Sequence, residues 1–296
     1  MYKLSDFAGA VDLEVIRDGS FELTGKLSTP LNGLCVPLRS AAYLEIVNEL
    51  QRASAVITTA ELAPQIDKRL AVAVSAAPDA AHAEVHAAIV AMKESELRSR
   101  PTRISPTADV SPNASIAPYG VSIGPGVQIG PFVAVYPGVT IESESRIYAG
   151  CVLGSPGFNI GRVGGRQRVV PQLGGVRIKS HVEILANVTI ARAVFGGDTT
   201  IGEEAMIDNL TYVAHDAQIG ARVQICAVVN ILGRAIIGDD AYIGPSSVVI
   251  NGARIGAGAR VSMGAVVTKD VPNGGHVTGN FAVDHQRFLS HLRTIR

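Results

Sequence analysis

One histidine, His215, stands where an imidazole could take a proton from a substrate. It occupies the third place of a six-residue repeat and points out of the coil that the repeat predicts. Residues 18 places away lie directly above and below it in such a coil, and these are Gly197 and Gly233. Neither has a side chain, so the pattern predicts an open notch in which a neutral imidazole could act as general base and the Gly233 N–H could stabilise an oxyanion. The Asp216 side chain is expected to diverge, so no His–Asp pair is predicted. On the spacing alone, a solvated surface histidine is the preferred interpretation.

Two further histidines, His82 and His86, are spaced four residues apart on a predicted helix, as metal-binding pairs can be. The sequence shows no third ligand for such a site, and a solvated helical face is the preferred interpretation. No metal site is therefore predicted.

A glycine-rich insertion interrupts the repeat between residues 154 and 177. Glycine lets the backbone approach a ligand closely, and structureless insertions of this length are usually functional loops. Phe158 within this loop is expected to line an acyl or sugar pocket. A mobile surface loop without a binding role is the alternative.

These candidates depend on a six-residue period that occupies much of the chain. An aliphatic residue recurs through twelve unbroken hexads from Ile201 to Val267, and a small or β-branched residue follows four places after each one. Earlier hexads run from Ile104 to Leu153, with a one-residue slip, and from Ile178 to Ile190. Neither a helix, with its period of 3.6, nor a plain strand, with its period of 2, explains the pattern. A six-residue period is typical of a parallel β-helix, in which three hexads close one triangular coil and the aliphatic side chains point inward.

The rest of the chain predicts two smaller units around this coil. Residues 1–100 lack the period and alternate short apolar runs with helical patterns, which predicts a small α/β domain as a candidate for nucleotide or sugar recognition. Residues 101–275 form the predicted β-helix domain, and residues 276–296 form a locally basic, helical C-terminal segment. The predicted fold class is mainly β, a parallel β-helix of hexapeptide repeats with a small N-terminal α/β domain and a C-terminal helix.

The bulk composition argues against several classes of protein. The formal net charge at pH 7 is +0, so the chain lacks the basic excess that is typical of nucleic-acid-binding proteins. The three cysteines, Cys35, Cys151 and Cys226, show no metal or disulfide spacing. No run of about 18 apolar residues predicts a membrane span, and the N-terminal stretch lacks the apolar segment of a signal peptide. A soluble, cytoplasmic protein is expected.

Several motifs resemble the UDP-3-O-acylglucosamine N-acyltransferases of lipid A assembly, which belong to the hexapeptide-repeat acyltransferase superfamily. The most specific block runs from Asp208 to His215, with the sequence Asp-Asn-Leu-Thr-Tyr-Val-Ala-His. The other motifs that carry the resemblance are Gly154-Ser-Pro-Gly-Phe, Val170-Pro-Gln-Leu-Gly, Gly233 and Val267-Thr-Lys-Asp-Val-Pro. The hexads alone would indicate only the superfamily.

This resemblance implies a left-handed β-helix, a homotrimer, and active sites in clefts between neighbouring subunits. It implies transfer of an acyl group from acyl carrier protein to the amine of a nucleotide-linked amino sugar, with acyl-CoA as the alternative donor and no bound cofactor. His215 would be the general base, and Gly233 would supply the oxyanion N–H. The residues that the resemblance places beside the substrate are Tyr43, Phe158, Gln172, Asp208 and Asn209. The basic C-terminal helix would contact the acidic carrier protein.

Several features depart from the family pattern, and two of them leave the acceptor open. Pro37 stands where the family stacks an aromatic residue on uracil, and Ser40 stands where the family has an asparagine. Three alternatives therefore remain: a sibling enzyme that acylates another amino sugar, an acetyl-CoA-dependent sugar N-acetyltransferase, and a non-catalytic hexapeptide-repeat scaffold. The presence of His215 with Gly197 and Gly233 favours an enzyme over a scaffold.

Overall fold

A computed structural model describes residues 1–163, 166–279, 282 and 284–294. The first hundred residues form a five-stranded sheet, a separate two-stranded sheet and several helices. The strands are β1 (Tyr2–Lys3), β2 (Glu14–Arg17), β3 (Ser20–Phe21), β4 (Leu23–Thr24), β5 (Leu34–Leu38), β6 (Ala53–Thr58) and β7 (Ala71–Val74). The α-helices are α1 (Leu44–Glu49) and α2 (Pro78–Arg98), and the 3-10 helices are Leu4–Asp6, Ala41–Tyr43 and Ala63–Gln65.

The five-stranded sheet is covered by one α-helix on each face. Its order is β2-β7-β6-β5-β4, with β2 antiparallel to β7 and the other neighbours parallel. Val85 and Ile89 of α2 are buried in one core cluster, and Val47 of α1 is buried in another. Helix α2 extends to Arg98 because residues 93–98 are mostly good helix formers.

Outside one hairpin, every described strand from residue 103 to residue 277 belongs to a three-sided parallel coil. The strands in chain order, including the hairpin strands β17 and β18, are β8 (Arg103–Ile104), β9 (Asp109–Val110), β10 (Ser115–Ile116), β11 (Ser122–Ile123), β12 (Gln128–Ile129), β13 (Ala134–Val135), β14 (Val139–Ile141), β15 (Arg146–Ile147), β16 (Val152–Ser155), β17 (Ile160–Val163), β18 (Arg166–Val169), β19 (Gly175–Ile178), β20 (Glu183–Ile184), β21 (Thr189–Ala191), β22 (Asp198–Ile201), β23 (Met206–Ile207), β24 (Tyr212–Val213), β25 (Gln218–Ile219), β26 (Gln224–Ile225), β27 (Asn230–Ile231), β28 (Ile236–Ile237), β29 (Tyr242–Ile243), β30 (Val248–Val249), β31 (Arg254–Ile255), β32 (Arg260–Val261), β33 (Val266–Val267) and β34 (His276–Val277).

The three faces of the coil are parallel sheets of eight, eight and nine strands, stacked with aliphatic residues in register. Ile201 pairs with Ile219, and Val213 pairs with Ile231. These side chains point inward and are buried, as the hexad period predicts. Because each buried Ile or Val contributes about 1.5–3 kcal/mol, the repeated interior supplies the stability of the stack.

The corners of the coil impose a special backbone conformation on one residue in each hexad. From Glu204 to Ser246, every sixth residue has a positive φ, between 56° and 62°, although none of them is glycine. The same tight stacking explains glycine directly after an inward aliphatic residue, since a Cβ on Gly202 would collide with the backbone of Gly220. The corner residue Asp216, with φ of 61°, follows His215 directly.

The insertion at residues 154–177 is not structureless, and that prediction was wrong. Strands β17 and β18 form an antiparallel hairpin, in which Ile160 pairs with Val169. Strand β19 already belongs to the coil from Gly175 onward. A short hairpin satisfies its own backbone hydrogen bonds, and four-residue strands leave no six-residue period by which the sequence could reveal them.

The coil continues slightly past residue 275, where the predicted β-helix domain ends. Strand β34 pairs with β32, and the last described helix is α3 (His285–Thr294). Residues 280, 281, 283, 295 and 296 of the predicted C-terminal segment lie outside the described residues. Among the described helices, none combines the length and hydropathy of a membrane span.

The histidine pair of α2 is buried, which contradicts the predicted solvated face. His82 and His86 are 4% and 1% exposed. His82 Nε2 donates to the Cys35 carbonyl at 3.1 Å, and His86 Nε2 donates to the Pro171 carbonyl at 2.8 Å. His86 Nδ1 accepts from the Thr24 hydroxyl at 2.6 Å. The prediction failed because the sheet covers one side of α2 and the insertion covers another, which the helical pattern alone does not reveal.

Burial makes His82 a source of acid sensitivity. Desolvation lowers the pKa of His82 to about 4, from an ordinary value of about 6.5. In this pH range the unfolded chain binds a proton at His82 that the folded chain excludes, so the contribution to stability is complete above about pH 6.5 and declines as the pH falls. We expect up to about 3 kcal/mol of unfolding free energy to be lost by pH 4, at 1.4 kcal/mol per pKa unit. Urea unfolding across this range measures the slope.

His82→Gln should weaken this acid slope, because glutamine does not titrate. The exposed His181→Gln is the control and should keep the slope of the unmodified protein. Equal slopes in His82→Gln and the unmodified protein would contradict the assignment.

Candidate active site

His215 lies in a cavity of about 210 Å³ where three parts of the chain meet. The N-terminal unit contributes Lys26, the insertion contributes Phe158, and the coil contributes His215, Asp216 and Arg234. The coil residues lie at the corner that follows β24 and at the same corner one turn further on. The cavity therefore depends on the repeat to align successive corners and on the insertion to close it.

The adjacent carboxylate holds the imidazole, contrary to the expectation that the Asp216 side chain diverges. His215 Nδ1 donates to Asp216 Oδ2 at 2.7 Å, and the two side chains are only 15% and 19% exposed. The expectation assumed that successive side chains point to opposite faces, as they do in a strand. Asp216 instead lies at a corner and has a positive φ, so this alternation does not hold there. Asp216 Oδ1 accepts from the Val194 N–H at 3.1 Å, and the Asp216 N–H donates to Thr199 Oγ1 at 2.9 Å. The carboxylate is thus fixed on both sides.

The bare backbone at Gly233 faces the other nitrogen of this imidazole. With Nδ1 protonated against Asp216, Nε2 carries the lone pair. A Cβ at Gly233 would lie 2.8 Å from His215 Nε2 and 2.7 Å from Cε1, so only glycine leaves the ring its place. In the part of the chain that the structure describes, the Gly233 N–H donates no hydrogen bond. A base and a candidate oxyanion donor therefore lie side by side, as the 18-residue step predicts.

Gly197 does not stack on His215, so the prediction that Gly197 and Gly233 both flank the imidazole was wrong for Gly197. Ile190 pairs with Val213, 23 residues later, because the second break adds residues between these two turns of the coil. The neighbour on that side is Gly157 of the insertion, where a Cβ would lie 3.0 Å from His215 Cβ. The space beside the His215 ring on that side is therefore provided by Gly157 of the insertion, and not by a glycine of the repeat.

Two predicted loop residues border the site in different ways. Gln172 is buried, and its side-chain amide closes on Gly157: Oε1 accepts from the Gly157 N–H at 2.9 Å, and Nε2 donates to the Gly157 carbonyl at 2.7 Å. Phe158 is 82% exposed and lines the cavity from the next position. Gln172 thus holds the insertion against His215, while Phe158 is free to meet a ligand.

Removing the Gln172 amide should loosen the insertion while the coil stays intact. Gln172→Leu leaves the buried Gly157 N–H without a partner, at about 1–3 kcal/mol. It also removes one of two hydrogen bonds to the Gly157 carbonyl, at about 0.5–1.5 kcal/mol, while the Asn159 N–H still donates to that carbonyl at 2.9 Å. We expect amide exchange in residues 154–161 and 168–174 to rise at least ~10-fold, since 1.4 kcal/mol is a factor of ten. Hydrogen exchange read by mass spectrometry measures both segments.

The matched substitution is Gln224→Leu, on an exposed coil face, which should leave both segments unchanged. Equal protection of the insertion in Gln172→Leu and in the unmodified protein would show that the amide does not hold it.

Three other predicted site residues do not line this cavity within one chain. Tyr43 ends a 3-10 helix and is 52% exposed. Asn209 Oδ1 accepts from the Ala186 N–H at 3.0 Å, and Asp208 Oδ1 accepts from Asn209 Nδ2 at 2.7 Å. These two residues lie at the corner between β23 and β24, whereas His215 lies at the corner between β24 and β25. Their roles at the substrate stay predictions.

Asn251, Arg234 and Lys26 are among the cavity residues that the sequence predictions missed. Asn251 Oδ1 would lie 2.8 Å from a Cβ at Gly233. The 18-residue step from His215 to Gly233 leads on to Asn251, so the repeat did carry its signal. Arg234 and Lys26 also line the cavity. Lys26 had no such signal because it lies in the non-repeating unit.

A larger cavity of about 520 Å³ lies on the other side of the contact between Gly157 and Gln172. Its lining includes Tyr119, Tyr136 and Arg192 but, among the described residues, no histidine or cysteine. Nor do the described residues hold a cluster of three or more His, Cys, Asp or Glu arranged for a metal ion. His215 lies in the smaller cavity, with Gly233 against its ring, and this cavity is therefore the candidate active site.

Comparison with known proteins finds similarity to hexapeptide-repeat proteins. The family described as bacterial transferase hexapeptide (six repeats) matches residues 120–155 and 234–269. A UDP-3-O-acylglucosamine N-acyltransferase of Caulobacter sp. (strain K31) is 39% identical over 145 residues, which cover 48% of this chain and 42% of that protein. The protein of the same name from Bordetella pertussis is 35% identical over 148 residues, covering 48% of this chain and 40% of that protein. The solved structure of UDP-N-acetylglucosamine acyltransferase from Campylobacter jejuni matches with a TM-score of 0.50 and 19% identity, covering 65% of this chain and 83% of that chain.

These matches confirm the fold class and the resemblance. The Campylobacter jejuni structure shows the fold, a left-handed parallel β-helix, alongside the repeat match. The two curated proteins confirm the similarity to UDP-3-O-acylglucosamine N-acyltransferases. The aligned stretch of the chain spans about two fifths of the length of these relatives, 42% and 40%.

Proposed function

We propose that the chain is an N-acyltransferase, which moves an acyl group from an acyl thioester to the amine of a nucleotide-linked amino sugar of the lipid A type. One observation carries the proposal: the His215–Asp216 pair lines a cavity, and Gly233, whose N–H donates no hydrogen bond among the described residues, lies against the His215 ring. Similarity to the UDP-3-O-acylglucosamine N-acyltransferases supports the same reaction class.

In the first step the acceptor amine attacks the thioester carbonyl and a new C–N bond forms. His215 Nε2 accepts the proton that the amine loses. Asp216 holds Nδ1–H and stabilises the imidazolium that results, as the acid of a catalytic triad does. The Gly233 N–H donates to the oxyanion that develops on the carbonyl oxygen.

In the second step the tetrahedral intermediate collapses and the C–S bond breaks. The electron pair of that bond leaves with sulfur, and the imidazolium returns its proton to the thiolate. The products are an amide and a free thiol, and His215 is neutral again. No other acid, oxidant or reductant is needed for the balance.

The donor that we favour is acyl carrier protein. Helix α3 carries Arg287 and Arg293 and no acidic residue between His285 and Thr294. Asp284 caps its start by accepting from the Gln286 and Arg287 N–H groups. A basic helix of this kind complements an acidic carrier surface, whereas CoA would not need it. The acyl thioester is a substrate in this proposal, and no resident cofactor takes part.

We propose a homotrimer in which neighbouring subunits complete each site. Asp208 and Asn209 lie at a different corner from His215, so a neighbouring copy would bring them to it. Tyr43 of the N-terminal unit would contact the nucleotide. Mixing inactive His215→Ala and Asn209→Ala chains should restore activity to mixed trimers if the two residues act across an interface.

The location that we propose is the cytoplasm. Cys35, Cys151 and Cys226 are free, as is usual in a reducing compartment.

An acetyl-CoA-dependent sugar N-acetyltransferase is the second candidate. Pro37 and Ser40 favour it, because they replace the residues with which the similar family binds uracil. His215 and the Gly233 N–H would play the same roles with an acyl carrier protein thioester or with acetyl-CoA.

A panel of substrates separates these candidates. Acyl carrier protein thioesters and CoA thioesters of several acyl lengths are incubated with UDP-amino sugars, and thiol release is followed. We expect the highest kcat/KM with an acyl carrier protein thioester and a UDP-amino sugar. A preference for acetyl-CoA would select the second candidate. Absence of turnover with every pair would leave the non-catalytic scaffold as the remaining interpretation.

A further inference from the structure

Two cations reach the His215 cavity from different parts of the chain. Lys26 comes from the turn after β4, and Arg234 comes from the coil corner directly after Gly233. In the described part of the chain neither forms a salt bridge with a carboxylate. Asp216 is the acidic residue that lines the same cavity, and both of its carboxylate oxygens already accept hydrogen bonds.

Local contacts hold both residues near the imidazole. Arg234 Nη1 donates to Ser28 Oγ at 2.6 Å, and the Arg234 N–H donates to the His215 carbonyl at 2.9 Å. The turn at Lys26 is closed by Thr29, whose Oγ1 accepts from the Lys26 N–H at 3.0 Å. One guanidinium N–H thus joins the N-terminal unit to the coil. Among the described residues the other guanidinium donors of Arg234 form no hydrogen bond, so they can meet a ligand.

We propose that Lys26 and Arg234 bind a phosphate group of the substrate beside His215. This inference rests on the proposed function and adds the ligand chemistry of its site. Arginine offers a planar fork of donors to phosphate oxygens, and lysine offers a compact charge. The cavity of about 210 Å³ is smaller than the 300 Å³ or more of most small-molecule sites, so it holds a phosphate group and its neighbouring atoms rather than a whole nucleotide sugar.

The contact between Arg234 and Ser28 has a second interpretation, in which Arg234 only joins the coil to the N-terminal unit. That role predicts a loss of stability in Arg234 variants and no effect of Lys26 on anion binding. Lys26 is exposed, so its substitution tests the anion site without relying on Arg234.

Binding of inorganic pyrophosphate to the full chain, measured by isothermal titration calorimetry, tests the site without turnover. The variants are Lys26→Gln and Arg234→Gln. The matched control is Arg222→Gln, because Arg222 occupies the same corner place two hexads earlier but pairs with Asp240 at 2.7 Å. We expect the Kd to rise at least ~10-fold in each cavity variant and to stay unchanged in the control. The Kd of the unmodified protein should also rise with salt.

Absence of pyrophosphate binding to the unmodified protein at millimolar concentration would overturn the proposal. So would an unchanged Kd in Lys26→Gln, or an equal loss in Arg222→Gln. Each of these results can occur while acyl transfer is intact, so failure of the anion site is distinguishable from failure of the proposed reaction.

The phosphate has two chemical sources, the diphosphate of the sugar nucleotide and the phosphopantetheine arm of the donor. Competition separates them: UDP and phosphopantetheine are each titrated against bound pyrophosphate. Displacement by UDP assigns the site to the acceptor, and displacement by phosphopantetheine assigns it to the donor. Displacement by neither would overturn the assignment to a substrate phosphate.

Discussion

Replacing His215 with alanine lowers kcat by about 10²–10⁴-fold in our account, which is the range that general acid–base catalysis contributes. The substitution removes the imidazole to which we assign proton transfer from the amine and to the thiolate. Nε2 lies against Gly233, which has no side chain to take over that role. Initial rates of thiol release under saturating substrates measure the effect on kcat.

The control for this variant is His276→Ala, at an exposed position near the end of the coil. It should retain full activity, and circular dichroism and size-exclusion chromatography should show the unmodified fold and assembly for both variants. A His215→Ala chain that keeps more than about a tenth of the unmodified kcat would remove His215 from the mechanism, since general-base losses start at about 10²-fold.

Gly233→Ala should cost at least ~10²-fold in kcat, the loss that follows removal of one oxyanion donor. A Cβ at this position would lie 2.7 Å from His215 Cε1 and 2.8 Å from Asn251 Oδ1, so the imidazole must move or the backbone must shift. Either change separates the N–H of residue 233 from the base. The loss should appear in kcat, because the oxyanion exists only after the amine has attacked.

Gly9→Ala is the matched substitution, because a Cβ there meets nothing within 4 Å. It should leave kcat and stability unchanged. If Gly233→Ala instead raised KM with an unchanged kcat, Gly233 would shape ground-state binding and would not stabilise the oxyanion.

The coil could be predicted from the sequence because one physical demand repeats at fixed spacing. Each hexad sends one aliphatic side chain into the interior, and Ile201, Ile207 and Val213 are at most 1% exposed. Because three hexads make one turn of the coil, residues 18 positions apart lie next to each other on neighbouring turns. This is why the 18-residue step from His215 to Gly233 corresponds to a real contact.

The same arithmetic failed wherever residues were added between turns of the coil. The break before β22 moved Gly197 away from His215, and the insertion brought Gly157 to the ring instead. Spacing has meaning only inside an unbroken run of hexads. The Gly157 contact depends on Gln172, fifteen residues further along the chain, and no local pattern encodes that hydrogen-bonded closure.

Two other misses have separate causes. Asp216 reaches the imidazole because a corner with positive φ breaks the alternation of neighbouring side chains. His82 and His86 are buried because α2 is covered by more than one neighbour, which a helical pattern with histidines does not reveal. Both depend on tertiary geometry rather than on residue type.

The chemical identity of the acylated atom tests the central claim most directly. The purified chain is given an acyl carrier protein thioester and a UDP-amino sugar that carries both a free amine and free hydroxyl groups. The product is analysed by mass spectrometry before and after mild alkaline treatment. We predict one acyl group for each thiol released, in an amide that survives the alkali. An alkali-labile ester, or free acid with no acylated sugar, would contradict the account.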